Sequence, residues 1–316
     1  MTPHGPHDPT TTTPTRRPGS VRRTTSIDVD RSGFVARGRD LLTRADGSTV
    51  VLDQVELRGS TAPTGELLSL DASPPLPDLA GLVGLAVGRG FRARAAQAVP
   101  APRAAGTVLH LLLDDLPLAT LVSGYGEMRE LPAMAIAPAT ADRMLDLCAG
   151  WQGGATMMQA IEQTGLLPTP IGPPAPELAR ADDPLAWHDL PPLGRGELRR
   201  RRRLDVTTGN PLLADAMFRD SHRALDGEES VLHEYEVSAS IDPLTLVVRH
   251  AEAAPRVLPW PECPQAAASA ARIAGEPVAA LRERVLDDLT GIGTCTHLND
   301  LLRSLADVSA MAEVLG

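Results

Sequence analysis

The chain contains no lysine: all 30 of its basic residues are arginine, a bias that GC-rich coding accounts for. Aromatic residues make up only 3% of the 316 positions. Acidic residues outnumber basic ones, 40 to 30, for a net charge of −10, which argues against a general affinity for nucleic acid. Three cysteines, Cys148, Cys263 and Cys295, are too few for a disulfide scaffold in a chain of this length. The opening "MTPHGPHDPTTTTPTRRPGSVRR" lacks the apolar stretch of a secretory signal. No apolar run reaches the length of a membrane span; "TVLHLLLDDLPLATLV" is interrupted by Asp114, Asp115 and Pro117. These absences predict a cytoplasmic protein with reduced thiols and neither a membrane nor a nucleic-acid partner.

What is present is enough apolar residue, 43%, for a sizeable core. The first 25 residues, rich in Thr, Pro and Arg, are expected to be a disordered tail. "FVARGRDLLTRADGSTVVLDQVELRG" reads as two strands around Asp46-Gly47. "GTVLHLLLDDLP" reads as a strand, and "ATADRMLDLCAGWQGGATMMQAIEQTG" as one or two helices. A Pro-rich linker and the run Arg199 to Arg203 follow. Near the C-terminus "SVLHEYEVSASID" alternates, with Val231, His233, Tyr235 and Val237 on one side and Glu234 and Glu236 on the other. This predicts a buried face carrying His233 and a wet face carrying the glutamates. "LTLVVRHAEA" is its partner strand, helices follow, and the last helix sets Leu298, Leu301, Leu302 and Leu305 along one side. No internal repeat is apparent. The expected fold class is α+β: an antiparallel sheet with C-terminal helices packed on it. Its core is expected in residues 26–59 and 206–316, with a helical and loop insertion over 60–205.

The chemistry-bearing residues gather in the C-terminal part. Cys263 precedes one predicted helix and Cys295 another, with His297 two residues on. If those helices pack on the sheet, His233, Cys263, Cys295 and His297 converge at one end. Thiolate and neutral imidazole are ligands for zinc and for iron–sulfur centres. A helix N-terminus also lowers a thiol pKa, so the same residues suit a nucleophile, Cys295, with His297 or His233 as base. Two core cysteines with an ordinary buried histidine would leave the same spacing. Thr294 or Thr296 is the expected cap of the last helix.

The order of "SVLHEYEVSASIDPLTLVVRHAEAAPRVLPWPECPQAAASAARIAG" and "LTGIGTCTHLNDLLRSLAD" resembles a bacterial family known as domain of unknown function 2889. Its pattern is a strand with His, a Cys before a helix and a Gly-Cys-Thr-His-Leu motif near the end. His233, Cys263, Cys295, Thr296, His297 and Leu298 fall in the matching places, with Thr294 where the motif has Gly. "ADGSTVVLDQVELRG" resembles the family's opening hairpin, with Asp53 at its acidic position. The resemblance covers under half the chain and implies no activity. A fainter likeness is to U-type iron–sulfur scaffold proteins, whose second and third ligand cysteines would correspond to Cys263 and Cys295. Their first cysteine has no counterpart here, and His297 follows its cysteine instead of preceding it.

Other residues read as structural. The Arg199–Arg203 run is expected to be a solvated face. Cys148 shares a predicted helical face with Met144 and Leu147. Asp182, Asp183, His188 and Asp189 suit turns and caps more than metal ligation. Three classes of function follow, in this order: a metal- or iron–sulfur-binding protein using His233, Cys263, Cys295 and His297, with zinc or a cluster as cofactor; an enzyme with Cys295 as nucleophile; a structural or adaptor protein.

Overall fold

The computed structural model describes residues 4–130 and 135–315. Its centre is one antiparallel sheet of eight strands: β1 (Ser20–Val29), β2 (Gly33–Thr43), β3 (Thr49–Thr61), β4 (Leu67–Ser73), β5 (Leu198–Thr207), β6 (Leu212–Arg223), β7 (Glu229–Ile241) and β8 (Val248–Val257). They lie in the order β4-β3-β2-β1-β5-β6-β7-β8. Between β4 and β5 come α1 (Phe91–Ala98), α2 (Pro100–Ala104), α3 (Val108–Glu130), α4 (Pro138–Met144) and α5 (Thr156–Thr164). After β8 come α6 (Leu281–Asp288), α7 (Thr296–Ser304) and α8 (Val308–Glu313). The fold is α+β, as expected.

The strand order reveals a repeat that is not apparent on first reading the sequence. Each half is a four-stranded meander, and the halves join through β1 and β5. Each has an Asp-Gly hairpin between its second and third strands, and a register shift directly after an aspartate: Asp40 in β2 and Asp220 in β6. Asp40 lies opposite Asp53, and Asp220 opposite His233. Across the junction Arg22 binds Asp205, and Arg199 binds Asp28, both at 2.6 Å. These two ion pairs exchange when the halves are exchanged. "RDLLTRADG" and "RDSHRALDG" are the matching segments.

Several boundaries move from those expected. Residues 20–25, placed in the tail, open β1, and β4 and nearly all of β5 come from the stretch read as insertion. Residues ahead of β1 are tied to the sheet. The amide of Asp8 donates to the Arg256 carbonyl, Thr10 N–H donates to Glu234 Oε1, and Arg16 donates to Thr43 Oγ1 of β2 at 3.0 Å. "GTVLHLLLDDLP" is helical, part of α3. Its leucines are not β-branched, and those at 109, 111, 112, 113 and 116 are all buried, as a helix enclosed on most sides requires. Gly38 of β2 lets α3 approach, because a Cβ there would collide with the Val108 side chain.

Both faces of the sheet's central strands are covered. Helices α3 and α7 lie on one; the N-terminal segment and the Pro-rich stretch before β5 lie on the other. Glu234, expected in water, is therefore buried, paired with Arg219 at 2.5 Å. The Arg199–Arg203 run is likewise not a solvated face. It forms half of the central strand β5, and each of its side chains is at most 5% exposed. Alternation sends Arg200 and Arg202 toward Asp115 of α3, and Arg199, Arg201 and Arg203 to the opposite face, toward Asp28, Glu177 and Asp215. Buried guanidinium needs such partners, since an unpaired charge in the interior is costly.

Candidate metal centre

On the helix-covered face, the end of β6 brings Asp220 beside His233 of β7. His297, the second residue of α7, closes over them. The His233 and His297 rings stack, with centroids 3.9 Å apart and planes 14° from parallel. Phe218, one step along the same face of β6, continues the stack at 6.3 Å from His297. The Arg200 guanidinium lies 5.0 Å from the Phe218 ring centroid, within cation–π range.

Asp220 is completely buried, and neither carboxylate oxygen accepts a hydrogen bond from the described residues. Arg200 Nη1 stands 3.4 Å from Oδ1, and His233 Nδ1 4.0 Å from Oδ2. The buried Nδ1 of His233 and Nε2 of His297 are also without a hydrogen-bond partner. One ligand atom from each of Asp220, His233 and His297 lies within 4.8 Å of the others. Buried polar groups are nearly always satisfied, so three unsatisfied groups converging on one point call for an explanation.

The electrostatics follow from burial. It pushes the Asp220 carboxyl up to about 6, against the pull of Arg200 and Arg202. It takes His233 down to about 3, helped by Arg200. His297 is held well below its ordinary value by burial, then by His233, Arg200 and Arg202. Both rings are therefore neutral near pH 7, the form that ligates a metal.

The four residues expected to share a centre divide. His233 and His297 meet. Cys295 touches the edge of the group, its Sγ 3.9 Å from His297 Nδ1, but neither it nor Cys263 belongs to the group of converging ligand atoms. Cys295 itself is the N-cap residue of α7, and no side chain caps that helix; Thr294 Oγ1 donates instead to the Gly291 carbonyl at 2.8 Å. Burial pushes the Cys295 thiol up to about 12, although the backbone N–H groups of Leu298 and His297 favour its thiolate. Cys263 is buried at the start of a 3-10 helix, and its carbonyl accepts the Tyr235 hydroxyl at 3.3 Å. Burial raises its thiol as well. Cys148 is half-buried against the core while Leu147 beside it is exposed. Asp183 accepts from the Leu185 amide and His188 is held by Thr24 and Ser26. Asp220 was missed. The signal was available: it is the sixth residue outward from Asp226, as His233 is from Gly227, and the hairpin pairs them.

Residues 198–311 match the family described as protein of unknown function (DUF2889). The match runs from β5 into α8 and contains Asp220, His233, Cys263, Cys295 and His297. It supports the resemblance drawn from the Cys-Thr-His-Leu motif; the fainter likeness to iron–sulfur scaffolds gains no support from it. No curated protein and no solved structure matches the chain.

Proposed function

We propose that this is a metal-binding protein in which Asp220, His233 and His297 hold a single divalent transition-metal ion. The observation that carries the reading is the fully buried, unbonded Asp220 carboxylate beside two neutral imidazoles whose facing nitrogens are also unbonded. Two imidazoles and one carboxylate suit zinc or ferrous iron and leave coordination positions open for water or substrate. Behind His297, Nδ1–H then donates to the Cys295 sulfur, which leaves Nε2 as the ligand atom. A cysteine nucleophile is the weaker reading, because the Cys295 thiol is buried and protonated at neutral pH.

Elemental analysis of tag-free protein, purified without added metal and then reconstituted, tests this. One equivalent of zinc or iron per chain is expected, lost in His233→Ala and in His297→Ala, with Cys263→Ala unaffected. Failure to retain any transition metal after reconstitution and gel filtration would sink the proposal.

A further inference from the structure

The opposite face of the sheet carries an imbalance of the other sign. Beneath the Pro-rich stretch lies a cleft of about 670 Å³, within the usual range for a small-molecule site. Arg39, Arg180, Arg199, Arg201 and Arg223 line it, with Trp187 and His188; Arg180 is held by Asp182 at 2.9 and 2.6 Å. Arg199 is neutralised by Asp28, at 2.6 and 2.8 Å. The other three are not matched in this way. Among the described residues Arg39, 7% exposed, donates to the carbonyls of Leu185 and Trp187, and its buried Nε has no hydrogen-bond partner there. Arg223 likewise donates to carbonyls, those of Gly227 and Leu193. Arg201, 4% exposed, has an unbonded Nε and reaches Glu177 and Glu229 only at 3.4 Å. Those two carboxylates already accept shorter bonds, from the Leu178 and Ala179 amides and from Ser221. Asp183 is committed to Arg16, and Asp189 is exposed.

The repeat supplies an internal control. In the second half the arginine matching Arg39 is Arg219, which lies opposite Glu234 and is bound by it at 2.5 Å. In the first half the residue opposite Arg39 is Gln54. The carboxylate that neutralises this position in one half is missing in the other. Arg39 and Arg201 also flank the same imidazole. Arg39 pairs in register with Thr24, and Arg201 with Ser26, and those two hydroxyls hold His188 at 2.9 and 2.8 Å. Guanidinium groups lining one cleft from separate strands suit a tetrahedral oxyanion better than a planar carboxylate, which one guanidinium fork can satisfy.

We propose that this cleft binds a phosphate group, free or as the monoester of a small molecule, with Arg39 and Arg201 as its main ligands and Arg223 as a third. The site is separate from Asp220, on the other face of the sheet, and does not depend on metal binding.

Calorimetric titration of the full chain with inorganic phosphate and with methyl phosphate, at constant ionic strength set by chloride, tests it. One saturable site is expected for at least one of the two; the tighter one identifies the source. Arg39→Gln and Arg201→Gln should each weaken binding roughly tenfold to a hundredfold, the size of a lost charge-assisted contact. Either variant could misfold, so Gln54→Glu is the decisive one. It supplies to Arg39 the carboxylate that Arg219 already has, leaves the core untouched, and should weaken phosphate binding by a similar factor. Asp220→Asn should leave it unchanged. Absence of saturable binding by both phosphates, binding indifferent to Gln54→Glu, or tighter binding of malonate would each overturn the assignment.

Discussion

Asp40 and Asp220 occupy the same place in the two halves of the sheet, and their surroundings differ in one decisive way. Asp40 is clasped by Arg23 through two hydrogen bonds of 2.7 and 2.6 Å, and Arg23 also meets Asp307 at 2.8 Å. Asp220 has Arg200 in the matching position, yet that guanidinium stands off at 3.4 Å, shared with Asp115 at 3.7 Å and drawn over the Phe218 ring. Phe218 matches Gly38, where α3 presses close in the first half. The aromatic ring thus takes the space that a helix takes in the first half and tilts the arginine away from its aspartate. Opposite the aspartate, Asp53 in one half becomes His233 in the other. One half uses the motif as a structural clamp; the other leaves the carboxylate with one loose ion pair and no hydrogen bond from the described residues, and sets two imidazoles against it.

The largest effect should come from breaking the clamp. Arg23→Leu strands Asp40 and one contact of Asp307 in the interior, and removing one partner of a buried pair costs about 3–5 kcal/mol. Arg200→Leu removes a weaker contact and should cost about 1–2 kcal/mol in the metal-free protein. It should also tighten metal binding, since the guanidinium competes with a cation for Asp220. Denaturant unfolding of both variants, with a metal titration of the second, checks this. Equal destabilisation by the two would mean that the halves are energetically alike.

The next effect concerns pH. The Asp220 carboxyl is raised to about 6 in the folded protein, above its unfolded value near 4. Its contribution to stability is therefore fully present below pH ~4 and is lost as pH rises through about 6. Asp220→Asn has no such loss. Relative to the parent, metal-free Asp220→Asn should gain roughly 3 kcal/mol between pH 3.5 and pH 8, read from unfolding curves across that range. A stability difference that does not change with pH would show that Asp220 is compensated after all.

Much of this architecture was legible in the sequence. The Asp46-Gly47 hairpin, the alternation of β7 and the amphipathic α7 are local patterns, and local patterns survive in a short window. His233 and His297 were identified from such patterns and do meet. The buried arginine strand was not legible because its partners are dispersed: Asp28, Asp115, Asp205, Asp215 and Glu177 come from both halves and from the intervening segment. A run of charges looks solvated until those carboxylates are brought to it. Glu234 failed because the segments that cover it, around Thr10 and Pro176, are remote in sequence or lie in the stretch read as disordered, although Arg219 opposite it was within reach of the same hairpin reading as Asp220. The repeat was hidden because its halves keep the turn and the ion pairs while changing the residues that do chemistry, Asp53 against His233 and Gly38 against Phe218.

The smallest effect is the sharpest test of what the clamp means. Asp53→His places an imidazole opposite Asp40, reproducing the cross-strand pair of Asp220 and His233 in the first half. A second metal should not bind, for two reasons. Asp40 remains engaged by both arms of Arg23, so its oxygens are not free ligands. The helix lying over that half is α3, which presents Val108 to Gly38, whereas α7 brings His297 to the second half. Two of three ligands, one of them occupied, do not make a site that competes with water. Metal content should not rise above that of the parent, with a stability change within about 1 kcal/mol for a half-exposed position. A second equivalent bound by Asp53→His would show that an opposed histidine and aspartate suffice, and that the Arg23 clamp is not what separates the two halves.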